Sequence, residues 1–187
     1  MPQAERLPDP WNAFFTEIDN ALETPLRVDC IGGFVVTMKY GMERPTADID
    51  VVDLAPRGAG EVAIRLGALG GPLWKKHGIY LEFVAVSTLP DNYEERLTEM
   101  FPKAFAKIRL MAVDPYDLAL SKLERNSQKD RDDLRFLART VPFDLKLLRS
   151  RYESELRWQL GNPAREDLTL QLWMEMIQED VSSSALD

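Results

Sequence analysis

The chain has 187 residues, 45% of them hydrophobic and 29% charged, enough for one domain with a core or for a domain with a helical appendage. A formal net charge of −8 argues against a surface that grips long nucleic acid phosphate by phosphate, but leaves room for a local basic patch or for a nucleotide bound through divalent metal. No apolar run approaches the roughly 18–20 residues of a membrane helix, and the start MPQAERLPDPW has no apolar signal core, so the expectation is a cytoplasmic protein with no membrane association.

In chain order, Pro8 to Thr24 predicts a helix: Asp9 can cap it, Pro10 suits a first turn, and Trp11, Phe14, Phe15, Ile18 and Leu22 fall at helical spacing. Leu26 to Ile31 predicts a strand, broken by Gly32-Gly33. Phe34 to Tyr40 predicts a short helix closed by Gly41, and Glu43 to Thr46 a loop. Ala47 to Leu54 predicts a strand with Asp48 and Asp50 on one side and Ile49 and Val51 on the other. Asp53 has the opposite strand parity to Asp50 and is left outside that pair.

Gly58 to Gly71 predicts a helix with an apolar face of Val62, Leu66 and Leu69. Ile79 to Val86 is the strongest strand, Leu89 to Pro102 is ambiguous, and Ala106 to Met111 predicts another strand. Asp114-Pro115 starts a helix that runs to about Arg125. After a break at Asn126-Ser127, the spacing of Ser127 and Asp130 fits a capping box for a helix through about Leu137. Phe143 to Leu160 and Glu166 to Glu179 predict two more helices, split by Gly161-Asn162-Pro163, with a frayed tail over Val181–Asp187. The fold class is therefore α/β (α+β): a small mixed sheet with flanking helices over 1–113, then a helical region over 114–187 packed on that core.

The single cysteine and single histidine narrow the chemistry. Cys30 has no partner for a disulfide or a cysteine zinc site and reads as a buried structural thiol. His77, among Lys75, Lys76 and Gly78, reads as part of a solvated turn, which makes a Ser-His-Asp triad improbable. What remains is Gly32-Gly33 followed by Arg44-Pro45-Thr46-Ala47-Asp48-Ile49-Asp50. Alternate strand positions put both carboxylates on one face, close enough to bind one hard cation. Such a pair repels itself unless positive charge lies between, and magnesium or manganese supplies it. Phosphoryl and nucleotidyl transfer need this arrangement. Glycines let backbone N–H groups approach phosphate oxygens, a following helix would aim its positive end there, and Arg44 and Thr46 could add a guanidinium clamp and a hydroxyl. Alone, Gly-Gly is a common turn and Asp-x-Asp a common solvated strand pattern. Their order is the stronger signal.

That order resembles the polymerase-beta-type nucleotidyltransferase signature: a Gly-Gly or Gly-Ser turn, an Asp-x-Asp strand, and a third carboxylate on a later strand. Glu82, within Ile79-Tyr80-Leu81-Glu82-Phe83-Val84, takes the third place in that resemblance; the open alternative is an edge strand with Glu82 facing water. A second stretch, Lys122-Leu123-Glu124-Arg125 with Lys129-Asp130-Arg131-Asp132-Asp133, resembles a segment of nucleotidyltransferase-like proteins that include bacterial toxins of the abortive-infection type. Asp114 to Ala119, Arg151-Tyr152 and Leu170 to Trp173 extend the resemblance, which covers most of the chain from Val28 and points to a bacterial nucleotidyltransferase-like family known by a domain-of-unknown-function label. It implies that Lys122, with Asp130 or Asp133, faces the active site. On an unbroken helix Lys122 and Asp133 would lie about 20° apart at roughly 100° per residue, but the break at Asn126-Ser127 removes that argument. Capping of the second helix is the structural alternative for Asp130, and a solvated helix face the one for Lys122, Arg125 and Lys129.

The expectation is a metal-dependent nucleotidyltransferase. Asp48, Asp50 and Glu82 would hold the metals, and Gly32, Gly33, Arg44 and Thr46 the nucleotide. Lys122 and one of Asp130 and Asp133 would act on the triphosphate or the acceptor. The substrate would be a nucleoside triphosphate, and the acceptor an RNA 3′ end, a protein side chain or a small molecule, with an antitoxin partner if the chain is a toxin. The rival readings are a non-catalytic scaffold or antitoxin-like protein and a magnesium-dependent nucleotide hydrolase.

Overall fold

A strongly apolar first helix organises the α/β part of the chain. In the computed structural model, which describes residues 6–84 and 88–184, α1 spans Trp11–Ala21 and buries Phe14, Phe15 and Ile18. Pro10 takes the N-cap position expected of Asp9, and the Asp9 carboxylate, one residue further out, accepts from the Ala13 N–H at 3.2 Å. At its other end the buried Asp19 accepts from the backbone N–H groups of Lys107 and Ile108, at 2.7 and 2.8 Å, and ties the helix to the start of a strand distant in sequence.

Five strands form one mixed sheet in the order β3-β2-β1-β5-β4. They are β1 (Leu26–Cys30), β2 (Asp48–Ala55), β3 (Tyr80–Phe83), β4 (Thr98–Met100) and β5 (Ile108–Ala112). The β1–β2 and β4–β5 pairs are antiparallel, and β1–β5 and β2–β3 are parallel. Leu26, Val28, Cys30, Ile49 and Val51 are buried and alternate along their strands, which is the period expected of a sheet face on a core. Between β1 and β2 lies α2 (Gly32–Met38); between β2 and β3 lie α3 (Arg57–Gly67) and α4 (Pro72–His77).

The helical part contains α5 (Pro115–Leu120), α6 (Gln128–Thr140), α7 (Leu145–Arg151) and α8 (Pro163–Ser184). Its core gathers Leu120, Leu123, Leu134, Leu148, Tyr152, Leu156 and Trp173. Ser127 and Asp130 form the capping box of α6. Among the described residues the chain divides into two compact units, 6–84 with 97–113 and 88–96 with 114–184. The second therefore includes a segment from the middle of the sequence. Arg96 holds that segment, donating to Asp117 at 2.7 Å and to Glu155 at 2.7 Å.

Several expectations shift. The helix expected over Gly58 to Gly71 ends at Gly67, and α4 stands where a loop was expected. The ambiguous stretch before Pro102 holds a 3-10 turn, Tyr93–Arg96, and the short edge strand β4. The helix from Asp114 stops at Leu120 and continues only as turns. Beyond Arg151 the next helix loosens into a π-helical turn, Tyr152–Leu156, and a 3-10 turn, Arg157–Gln159. The last helix starts at Pro163, a first-turn residue by its fixed φ, and runs past the expected frayed point to Ser184; residues 185–187, like the end of the strand expected to reach Val86, lie outside the described residues. His77 is not a solvated-turn residue: its side chain is 11% exposed, it bonds Glu17 at 2.6 Å, and it meets the Phe14 ring edge-on.

Candidate metal and nucleotide site

Strand pairing brings the acids together. In the parallel β2–β3 ladder Asp48 pairs with Tyr80 and Asp50 with Glu82. Paired residues of adjacent strands share a face, so Glu82 stands beside Asp50 although 32 positions of sequence separate them. Asp48, Asp50 and Glu82 each offer a carboxylate oxygen, and the three oxygens lie within 4.8 Å of one another. Ligand oxygens on one octahedral magnesium, at about 2.1 Å from the metal, are at most about 4.2 Å apart. The three acids fit a shared hard cation after a shift of under about 1 Å. Glu82 is exposed and the two aspartates half-buried, so a cation can reach the cluster.

The glycine turn closes on the same place. Gly32 opens α2 with φ +72°, a left-handed conformation that favours glycine, and a Cβ there would lie 1.9 Å from Asp50 Oδ2. A Cβ on Gly33 would meet Arg44 Nη2 at 3.1 Å and Thr46 Oγ1 at 3.5 Å. The helix begins at Gly32 itself, so the two glycines form its first turn and do not precede it. Thr46 donates its hydroxyl to Asp48 Oδ1 at 2.7 Å, which fixes the orientation of that carboxylate. Gly32, Gly33, Arg44, Thr46, Asp48, Asp50 and Glu82 are thus brought together by the start of α2, the loop before β2, and the strands β2 and β3.

The cluster's charge reaches its neighbours. Burial raises the Tyr80 phenol above its ordinary value, and Glu82, Asp48 and Asp50 push it further the same way. Burial, then Asp29 and Asp50, also push the Cys30 thiol far up, so it is an inert core residue.

Two features escaped the sequence reading. A bulge lies between β1 and β2: Asp29 pairs with Asp53, but Cys30 pairs with Val51. The extra residue, Val52, reverses the parity of the strand beyond it and puts Asp53 on the face of Asp29, the face that also carries Asp50. Asp53 is not a member of the acidic cluster; Arg27 bridges it and the fully buried Asp29, at 3.3 and 3.0 Å. Tyr80 was the other omission, and the register that places it beside Asp48 is not visible without the fold.

Lys122, Asp130 and Asp133 come together with one another in the helical unit. Lys122 is 4% exposed, not on a solvated face, and its Nζ lies 2.9 Å from Asp133 and 3.7 Å from Asp130. Asp130 also accepts from Arg125 Nε at 2.8 Å and from the Ser127 N–H at 2.9 Å. Burial alone would raise the Asp130 carboxyl, yet Arg125 and Ser127, helped by Lys122, hold it well below the usual carboxylate range.

Three convergent carboxylates, a hydroxyl that orients one of them, and a tight glycine turn beside a guanidinium thus stand together on one face. Residues 13–180 match the model of a family described as nucleotidyltransferase of unknown function (DUF6036), and the chain belongs to that family. No curated protein and no solved structure matches it at a significant level. No helix among the described residues is long and apolar enough to cross a membrane.

Proposed function

We propose that the chain is a metal-dependent nucleotidyltransferase of the polymerase-beta type, moving a nucleotidyl group from a nucleoside triphosphate to an acceptor hydroxyl. The convergence of Asp48, Asp50 and Glu82 within 4.8 Å, against a glycine that only an absent Cβ lets approach, carries this reading. Asp48, Asp50 and Glu82 would hold magnesium or manganese, which when bound neutralises the triphosphate and aligns the reacting oxygens. Gly32 and Gly33, in the first turn of α2, would offer backbone N–H groups to phosphate oxygens, and Arg44, beside Gly33, would supply a guanidinium for them. Thr46 keeps the Asp48 carboxylate aimed. Lys122 and one of Asp130 and Asp133 would act on the triphosphate or the acceptor, and their pairing with one another also supports a stabilising part within the helical unit. A toxin role, with an antitoxin as partner, extends this reading and rests on the sequence resemblance alone.

Calorimetric titration with magnesium or manganese and each nucleoside triphosphate tests it. The expected result is metal-dependent nucleotide binding by the wild type and at least a tenfold loss in Asp48→Asn and Asp50→Asn. No binding of any nucleotide by the folded wild type would refute it and leave a non-catalytic scaffold. Release of free nucleotide as the sole product would make the chain a hydrolase.

A further inference from the structure

The site has two sides. Gly32, Gly33 and Arg44 flank the acids from the β1–α2 side, where the triphosphate would lie. In-line displacement at the α-phosphorus puts the attacking oxygen opposite the departing pyrophosphate. The attacking hydroxyl then belongs on the β3 side. That side is the edge of the sheet, and on the face of the acids it carries two side chains, Tyr80 and Glu82. Tyr80 pairs with Asp48 in the ladder, its N–H donates to the Ala47 carbonyl at 3.0 Å, and alternate strand positions put its side chain on the face of Glu82.

Its hydroxyl makes no hydrogen bond to any described residue, and the residue is half-buried among three acids. The other side-chain hydroxyl in the cluster, that of Thr46, is committed to Asp48 and lies on the glycine side. Among the described residues of that cluster, Tyr80 therefore presents an uncommitted acceptor-type oxygen on the face where an acceptor would enter.

We propose that Tyr80 is a nucleotidylation site of this chain, modified in cis by its own active centre from a nucleoside triphosphate. The inference rests on the nucleotidyltransferase reading above. The phenolic oxygen attacks the α-phosphorus; a Tyr80 Oη–P bond forms as the bond from that phosphorus to the bridging oxygen breaks. Pyrophosphate leaves with the electron pair, and the phenolic proton passes to Glu82, two residues along on the same face. No oxidant, reductant or further co-reactant is consumed. The product carries a phosphodiester where an external acceptor would enter, so the modification occupies the acceptor side of the site and blocks transfer elsewhere.

The test is to incubate the purified full chain with magnesium and each of the nucleoside triphosphates in turn, then to measure intact mass and map the modified peptide. The expected result is the addition of one nucleoside monophosphate, on the peptide bearing Tyr80, at a rate constant independent of protein concentration. The addition should be lost in Asp48→Asn, and lost in a folded Tyr80→Phe protein that still binds the nucleotide. A wild type that binds nucleotide without gaining mass would overturn the proposal, as would a label that maps elsewhere or persists in Tyr80→Phe. A rate that rises with protein concentration would overturn the cis step. A wild type that binds no metal-nucleotide marks a different failure, that of the nucleotidyltransferase reading, and the tyrosine assignment falls with it.

Discussion

Replacing Gly32 with alanine separates backbone strain from damage to the metal site. Two costs arise at that position. The φ of +72° is left-handed, and an L-residue there loses roughly 1–2 kcal/mol. The new Cβ would also fall 1.9 Å from Asp50 Oδ2 and 2.8 Å from Asp50 Cγ, so the Asp50 side chain must leave its rotamer. Asp50 is then lost to the cluster as a ligand. Losing even an outer partner of a metal ligand costs about 10–100-fold in affinity, and loss of a ligand should cost at least that. Gly41 provides the control: its φ is +80°, but nothing lies within 4 Å of where its Cβ would stand. Gly41→Ala should show a destabilisation of roughly 1–2 kcal/mol and unchanged metal binding. The assay is thermal unfolding of both variants without metal, where roughly 2–4 °C of Tm loss per kcal/mol is expected for a chain of this size, followed by manganese titration. Wild-type metal affinity in Gly32→Ala, or an equal loss in Gly41→Ala, would refute the claim that the absent Cβ positions Asp50.

Thr46→Val removes the donor to Asp48 Oδ1, and should weaken metal binding by about 10–100-fold while costing stability no more than about 1.5 kcal/mol; unchanged affinity by calorimetry would show that the hydroxyl does not orient the carboxylate. Lys122→Ala takes the ammonium from 2.9 Å beside a buried carboxylate and should cost about 3–5 kcal/mol in denaturant unfolding, so stability within about 0.5 kcal/mol of wild type would contradict the structural part given to it. Asp130→Asn should cost roughly 1–2 kcal/mol at pH 7, because it weakens the capping box and the Arg125 contact. The Asp130 carboxyl titrates lower folded than unfolded, so its contribution is present above the unfolded value of about 3.9 and is lost as pH falls below it. The stability gap between wild type and Asp130→Asn should therefore narrow from pH 7 to pH 3, and a pH-independent gap in urea unfolding would count against the ion-pair origin of the shift.

Local signals made much of the molecule legible. The glycine pair, the alternation of Asp48 and Asp50 with Ile49 and Val51, and the Ser127–Asp130 capping spacing all act over a few residues, and sequence shows such patterns directly. Glu82 was legible as an acid in an apolar strand, but its neighbour was not, because parallel pairing is a long-range fact. Asp53 was misplaced for a definite reason: parity counting assumes a regular strand, and one extra residue at Val52 reverses it. Lys122 and Asp133 illustrate the converse. The chain does break between α5 and α6, so helical angle could not have paired them, yet they meet across the turn. The Asp19 and Arg96 contacts were invisible because their partners lie at sequence distances of 88 and 59 residues.

The discontinuous make-up of the helical unit limits how it can be inherited or moved. Asp117 is fully buried and takes one of its two guanidiniums from Arg151, at 3.0 Å, and the other, at 2.7 Å, from Arg96, on the excursion 88–96 between β3 and β4. A segment beginning at Asp114 would carry that aspartate without its Arg96 partner, and Glu155 would lose the same cation. Recombination at the apparent α/β-to-helical boundary should thus be disfavoured. During synthesis the excursion emerges before any of the helices that will hold it, so it has to wait unpaired while β4, β5 and most of the remaining chain are made.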